Sequence, residues 1–155
     1  MESHDGASVP LSTLLVRLEL GGAVWPVAAR CWTGQDLAAL RALVDARSRH
    51  CDETAIGLLW LGDVAAAGAQ PLAAALVDVD LADGAATVLA VHPPSGGEQL
   101  LQRLAVGLIE VASSRGCTTL GAAAGVVDAD PGRLLHASGR APRPGSIPPV
   151  WPLEP

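Results

Sequence analysis

The chain of 155 residues contains no phenylalanine, no tyrosine, no lysine and no asparagine. Each absence excludes some chemistry. Without lysine there is no Schiff base, and without tyrosine there is no phenolic proton donor. All ten basic residues are arginine, and against sixteen acids they leave a net charge of −6. That balance argues against nucleic acid, whose phosphates need clustered basic side chains. Long apolar runs are also missing. Ala55 to Leu61 and Leu72 to Val77 are too short to cross a bilayer, so no membrane partner is expected. The opening Met-Glu-Ser-His-Asp is acidic and lacks an apolar signal core, which makes a cytoplasmic location the expectation. Cys31, Cys51 and Cys117 are scattered and form no Cys-x-x-Cys pair, so they read as reduced thiols with no metal role.

Half of the residues are apolar, enough for one domain with a real core built from Leu, Val and four Trp. Residues 1–12 are small and polar and read as a disordered arm ahead of a single domain spanning 13–155. Leu14 to Leu20 reads as a strand, Gly21-Gly22 as a hairpin turn, and Ala23 to Trp32 as the returning strand. Thr33 and Asp36 have helix-cap spacing, and Leu37, Leu40, Leu43 and Val44 predict an amphipathic helix from Gln35 to Arg49. Three apolar runs follow, Ala55 to Leu61, Leu72 to Leu81 and Ala86 to Val91, with Asp83-Gly84 marking a hairpin between the last two.

The clearest helix carries Leu100, Leu101, Leu104, Ala105, Leu108, Val111 and Ala112 on one stripe and stops at Gly116. Thr118 to Ala124 reads as a buried strand, and Pro131 to Ser138 as a short helix ended by Gly139. From Arg140 onward six prolines in sixteen residues predict an extended tail that cannot be a central strand. The order of elements predicts an α/β (α+β) fold around one mixed sheet.

Several residues are candidates for chemistry. His92 ends a strand, and imidazole is the one neutral-pH base available here without Lys or Tyr. His136 lies on the short helix. His50-Cys51-Asp52-Glu53 is the densest titratable group and offers an acidic lip for an amine, although a solvated loop reads as well. Asp78 and Asp80 share one face of their strand, which is either solvent or the cleft, a solvated face being the usual case. Trp25, Trp32 and Trp60 are expected in the core, whereas Trp151 in the tail is a candidate to cover a pocket or an interface, and a homodimer is a possible assembly. Ser95 and Glu98 have capping-box spacing, which would set a carboxylate against the first amides of the helix.

The span from Val91-His92-Pro93, through the helix ending Arg115-Gly116-Cys117, to Leu134-Leu135-His136-Ala137-Ser138-Gly139-Arg140 resembles the core of the GCN5-related N-acetyltransferase (GNAT) superfamily. Cys31 to Arg49 is similar, more loosely, to that family's first strand and helix. The resemblance implies a GNAT-like, mostly antiparallel sheet flanked by helices. It also implies that Ala86–Val91 and Thr118–Ala124 are parallel neighbours, with the sheet opening after Val91. It further implies acetyl-CoA or another acyl-CoA as cofactor, no metal, and a small-molecule amine as substrate.

In the family the pyrophosphate rests on an Arg/Gln-x-x-Gly-x-Gly/Ala loop. The matching residues are Gly96-Gly97-Glu98-Gln99-Leu100-Leu101, so Ser95, Gly96 and Gly97 would meet the cofactor, with Asp128 replacing a frequent Asn. The family's tyrosine acid is Leu135 here, and its closing Phe is Arg140. These departures predict weak or absent acyl-CoA binding, tightened by Glu98→Gln or Leu101→Gly. They leave three readings open: a divergent acyltransferase, a GNAT-fold enzyme with other chemistry on a hydrophobic small molecule, and a non-catalytic binding or assembly subunit. The first places His92 as general base, His136 in reserve, and His50, Asp52 and Glu53 beside the substrate.

Overall fold

The computed structural model describes residues 14–50, 54–63, 71–80, 84–92, 96–123, 132–140, 142–145 and 150–153. The expected N-terminal arm lies outside them. Among the described residues a six-stranded sheet runs in chain order: β1 (Leu14–Leu20), β2 (Thr54–Asp63), β3 (Ala73–Asp80), β4 (Ala85–His92), β5 (Thr119–Ala122) and β6 (Val150–Pro152). All neighbours are antiparallel except β4 and β5, which are parallel. The fold is therefore mixed α/β with a mostly antiparallel sheet.

Successive strand residues face opposite sides, and the two sides carry separate cores. Leu59, Leu61, Ala73, Ala75, Val77, Ala86 and Val88 pack against α3 (Glu98–Ser114) and α4 (Gly132–Ala137). Leu58, Trp60, Ala74, Leu76, Leu89 and Ala90 pack against α1 (Val24–Ala28) and α2 (Gly34–His50). The predicted stripe of α3 is the reason it docks: Leu101, Leu104, Ala105, Leu108 and Ala112 are all buried. Each such leucine contributes about 1.5–3 kcal/mol by leaving water. At the end of α3, Gly116 takes φ +88°, its amide bonds Ser113 O, and the Cys117 amide bonds Ala112 O. That is a Schellman stop, and it needs the left-handed residue that glycine supplies.

The returning strand expected over Ala23 to Trp32 does not form. Gly21–Ala23 is a turn of 3-10 helix and α1 follows it. Pro26 is the reason: as the third residue of α1 it sits in the first turn, where its missing amide hydrogen has no helical partner to lose. The partner of β1 is β2 instead, with Leu20 opposite Gly57. Trp32 and Trp60 are buried as expected, and Trp25 is half-buried with the Arg41 guanidinium 4.7 Å above its ring.

Among its described residues the proline-rich tail supplies the edge strand β6, in keeping with its composition. Trp151 within it is 1% exposed and belongs to the core over α3 and α4. Its indole Nε1 donates to Arg140 O at 3.1 Å. The ring is thus held inside its own chain, with almost no surface left to cover a pocket or an interface.

The strand face carrying Asp78 and Asp80 also differs from the expectation. Asp78 is 1% exposed, and its Oδ2 accepts a hydrogen bond from Arg47 Nε of α2; Asp80, at the strand end, is half-buried. Helix α2 lies over that face, so a carboxylate there must be paired.

Candidate active site at the β4–β5 opening

The parallel pairing joins Ala85–Val88 to Thr119–Ala122, and the Ala123 amide then donates to Val88 O at 2.9 Å. Strand β4 continues to His92, still paired with β3 through Ala74. Among the described residues Leu89–His92 have no partner on the β5 side. The two strands part after Val88, three residues earlier than the sequence suggested. A bulge sits at the parting point: Leu76 faces Ala90 and Val77 faces Val88, leaving Leu89 as the extra residue. Leu89 and Ala90 consequently both face the α1/α2 core, which regular alternation would forbid. Bulges re-aim a strand and end its pairing, which explains the local opening.

His92 stands at the far end of this opening. It is half-buried, with its ring edge-on to Trp32 at 6.4 Å between centroids. Burial pushes its pKa below the ordinary 6.5, so at neutral pH the imidazole carries no proton to shed before accepting one.

Five residues, 93–97, separate His92 from Glu98 at the start of α3, so the two lie at most roughly 21 Å apart. Gly96 and Gly97 both take φ +71°, a region where a side chain is strained. Gly97 is the N-cap of α3, without a side-chain capping bond, and Glu98 is the first helical residue. The cap expected at Ser95 falls at Gly97 instead, which sets Glu98 one position after the cap rather than the three that a capping box needs. Ser95 itself lies outside the described residues. Arg133 Nη2 of α4 donates to Gly96 O at 2.8 Å and lies 3.7 Å from a Glu98 carboxylate oxygen. The loop thus combines exposed glycine backbone, a helix start and a guanidinium.

Leu101, counted above as an obstacle in this loop, points elsewhere. Its side chain is 1% exposed in the α3 core, away from any ligand on the loop surface. Glu98 remains the charge that a bound anion would meet, 75% exposed at the positive end of the helix dipole. Glu98→Gln is accordingly expected to tighten acyl-CoA binding by about two- to fivefold. Titration calorimetry of both proteins at low ionic strength reads this difference.

His136 is exposed on α4, with its ring edge-on to Trp151 at 5.2 Å. The neighbouring Leu135 is buried in the core, so the two residues point apart. His50 is the last residue of α2, and only its backbone is described. Asp52, Glu53 and Asp128 lie outside the described residues. Cys31 is not a nucleophile at neutral pH, since burial pushes its thiol up to about 12. Cys117 is buried and raised for the same reason. Among the described residues no cluster of His, Cys, Asp and Glu suits a metal ion, and no helix is long and apolar enough to cross a membrane.

Sequence reasoning missed the Arg47–Asp78 pair. An aspartate inside the apolar run Val77-Asp78-Val79 was its one visible sign, and the partner 31 residues earlier was not legible. Compared with protein-family models, with curated proteins and with solved structures, the chain finds no match.

Proposed function

We propose that the chain is a GNAT-type N-acyltransferase that moves an acyl group from acyl-CoA to a small amine. The observation that carries this reading is the parallel β4–β5 pair, parted at the Leu89 bulge and followed directly by a glycine-started helix. Among the described residues the β5-side backbone groups of Leu89–His92 have no partner, an edge that suits an extended amide-bearing chain, as a missing strand would. The exposed Gly96–Gly97 backbone, the start of α3 and Arg133 suit a pyrophosphate, because amides and dipole there favour an anion. When bound, the cofactor supplies an activated thioester carbonyl.

The residues present then act as follows. The bulged strand orients the acyl carbon toward the α1/α2 side, where Leu89 and Ala90 turn. His92 on that side accepts the proton that the amine loses as its nitrogen bonds to the acyl carbon. With acyl-CoA held there, amide formation would break the carbon–sulfur bond, and solvent would protonate the departing thiolate because Leu135 offers no acid. Incubation with acetyl-CoA and a panel of small primary amines tests the reading. An N-acetylated amine detected by mass spectrometry, absent without protein, is the expected product. Free CoA accumulating at the same rate with and without every amine would contradict transfer.

A further inference from the structure

A second feature stands apart from the His92 end of β4. A cavity of about 290 Å³ lies on the α2 side of the sheet, lined by Arg47, Thr87, Thr119, Gly121, Ala123 and Val150. Thr87 is five residues before His92, roughly 16 Å along the strand. The lining is polar where it matters and small elsewhere: an arginine, two half-buried threonines and a floor of glycine and alanine. We propose that this cavity is a binding site for a small organic carboxylate, gripped by Arg47.

The argument starts from Asp78. It is 1% exposed and sits opposite Thr87 in the β3–β4 ladder, with Ile56 on its other side. Its Oδ2 holds Arg47 Nε, and its Oδ1 has no hydrogen-bond partner among the described residues. An aspartate buried this deeply is costly unless it is paired, and Arg47 is the partner it holds in place. Arg47 lines the cavity and Asp78 does not, so the charge offered to a ligand is positive.

Fixing the guanidinium through Nε uses one of its five N–H groups. The two Nη groups form a planar fork that matches a carboxylate with two parallel hydrogen bonds. Arg47 is 36% exposed at its side chain, open enough to be reached and closed enough for that bond to matter. Thr87 and Thr119 add hydroxyls along the same face, which can donate to a second oxygen. The absence of bulk at Gly121, Ala122 and Ala123 gives the rest of the ligand room against the sheet. The site stands on this geometry whether or not the chain transfers acyl groups.

The test uses the full chain without any acyl-CoA. Free L-amino acids and small mono- and dicarboxylic acids are compared, each beside its primary amide, by ligand-observed NMR and by calorimetry. At least one free acid is expected to bind saturably, and its amide about 10- to 100-fold more weakly, because the amide leaves a charged donor pair poorly matched. Arg47→Lys keeps the charge but loses the fork, so binding of that acid should fall by about tenfold or more. Thr87→Val leaves the ion pair in place and should weaken the same acid, whereas His92→Ala should leave it unchanged. Acid and amide binding alike, or no carboxylate of the panel binding at about 1 mM, would overturn the proposal. The acid–amide comparison is made on the unaltered protein, so instability of a variant does not blunt it.

Discussion

Leu101→Gly is expected to cost about 3–5 kcal/mol of folding stability, a large part of what holds a domain of this size together. The side chain is 1% exposed and packs beneath α3 with Leu104, Ala105 and Leu108. Removing it leaves a cavity under the first turns of the helix, and glycine adds backbone entropy to be lost on folding. The result bears on function, because the sequence alone suggested that glycine here would free the loop for a cofactor. Urea denaturation reads the loss as a lower midpoint with little change in slope. Gln99→Gly, two residues earlier and exposed, serves as the control and should cost about 1 kcal/mol or less. Equal losses at the two positions would show that Leu101 does not anchor the helix.

His92→Ala is expected to lower the rate of amine acylation by about 10²–10⁴-fold, the usual worth of a general base. His92→Gln separates chemistry from packing, since it keeps bulk against Trp32 and should lose activity nearly as fully. The pH profile adds a second signature. Because burial holds the folded pKa below 6.5, the acidic limb of kcat/KM should fall at a lower pH than for an exposed histidine. The same shift touches stability. The unfolded chain binds the proton more readily than the folded one. The contribution of His92 is therefore fully present above about pH 6.5 and is lost as pH falls through the folded value. His136→Ala, by contrast, should leave activity within a few-fold of the parent, because its ring is exposed beside Trp151. A His92→Ala enzyme with near-parental activity would remove this residue from the mechanism.

Elements fixed by local pattern were legible in the sequence. The α3 stripe and its Gly116 stop needed only helical period and left-handed glycine, and both form. Ala85–Val88 and Thr119–Ala122 pair in parallel, as the family resemblance implied for the runs that contain them. What escaped was set by distant partners. Ala23 to Trp32 has strand-like residues, yet Pro26 suits a first helical turn and β2 takes the place beside β1. Asp78 alternates like a solvent-facing residue, but α2 covers that side and brings Arg47 to it. Ser95 and Glu98 have capping-box spacing, yet the left-handed pair Gly96–Gly97 puts the cap at Gly97 and makes Glu98 the first helical residue. The bulge at Leu89 leaves no mark in Val88-Leu89-Ala90-Val91, all apolar and buried, because both sides of the sheet are covered there.

The central claim, that the parted strands and the glycine-started helix receive acyl-CoA, is tested most directly by thermal unfolding with and without acetyl-CoA. At 100 times its dissociation constant the ligand should stabilise the fold by about 2.7 kcal/mol. For a chain of this length that is a rise in Tm of about 5–11 °C. Acetate alone at the same concentration should produce none of it. A melting temperature unchanged by acetyl-CoA up to about 1 mM would contradict the account and leave the opening between β4 and β5 without its proposed occupant.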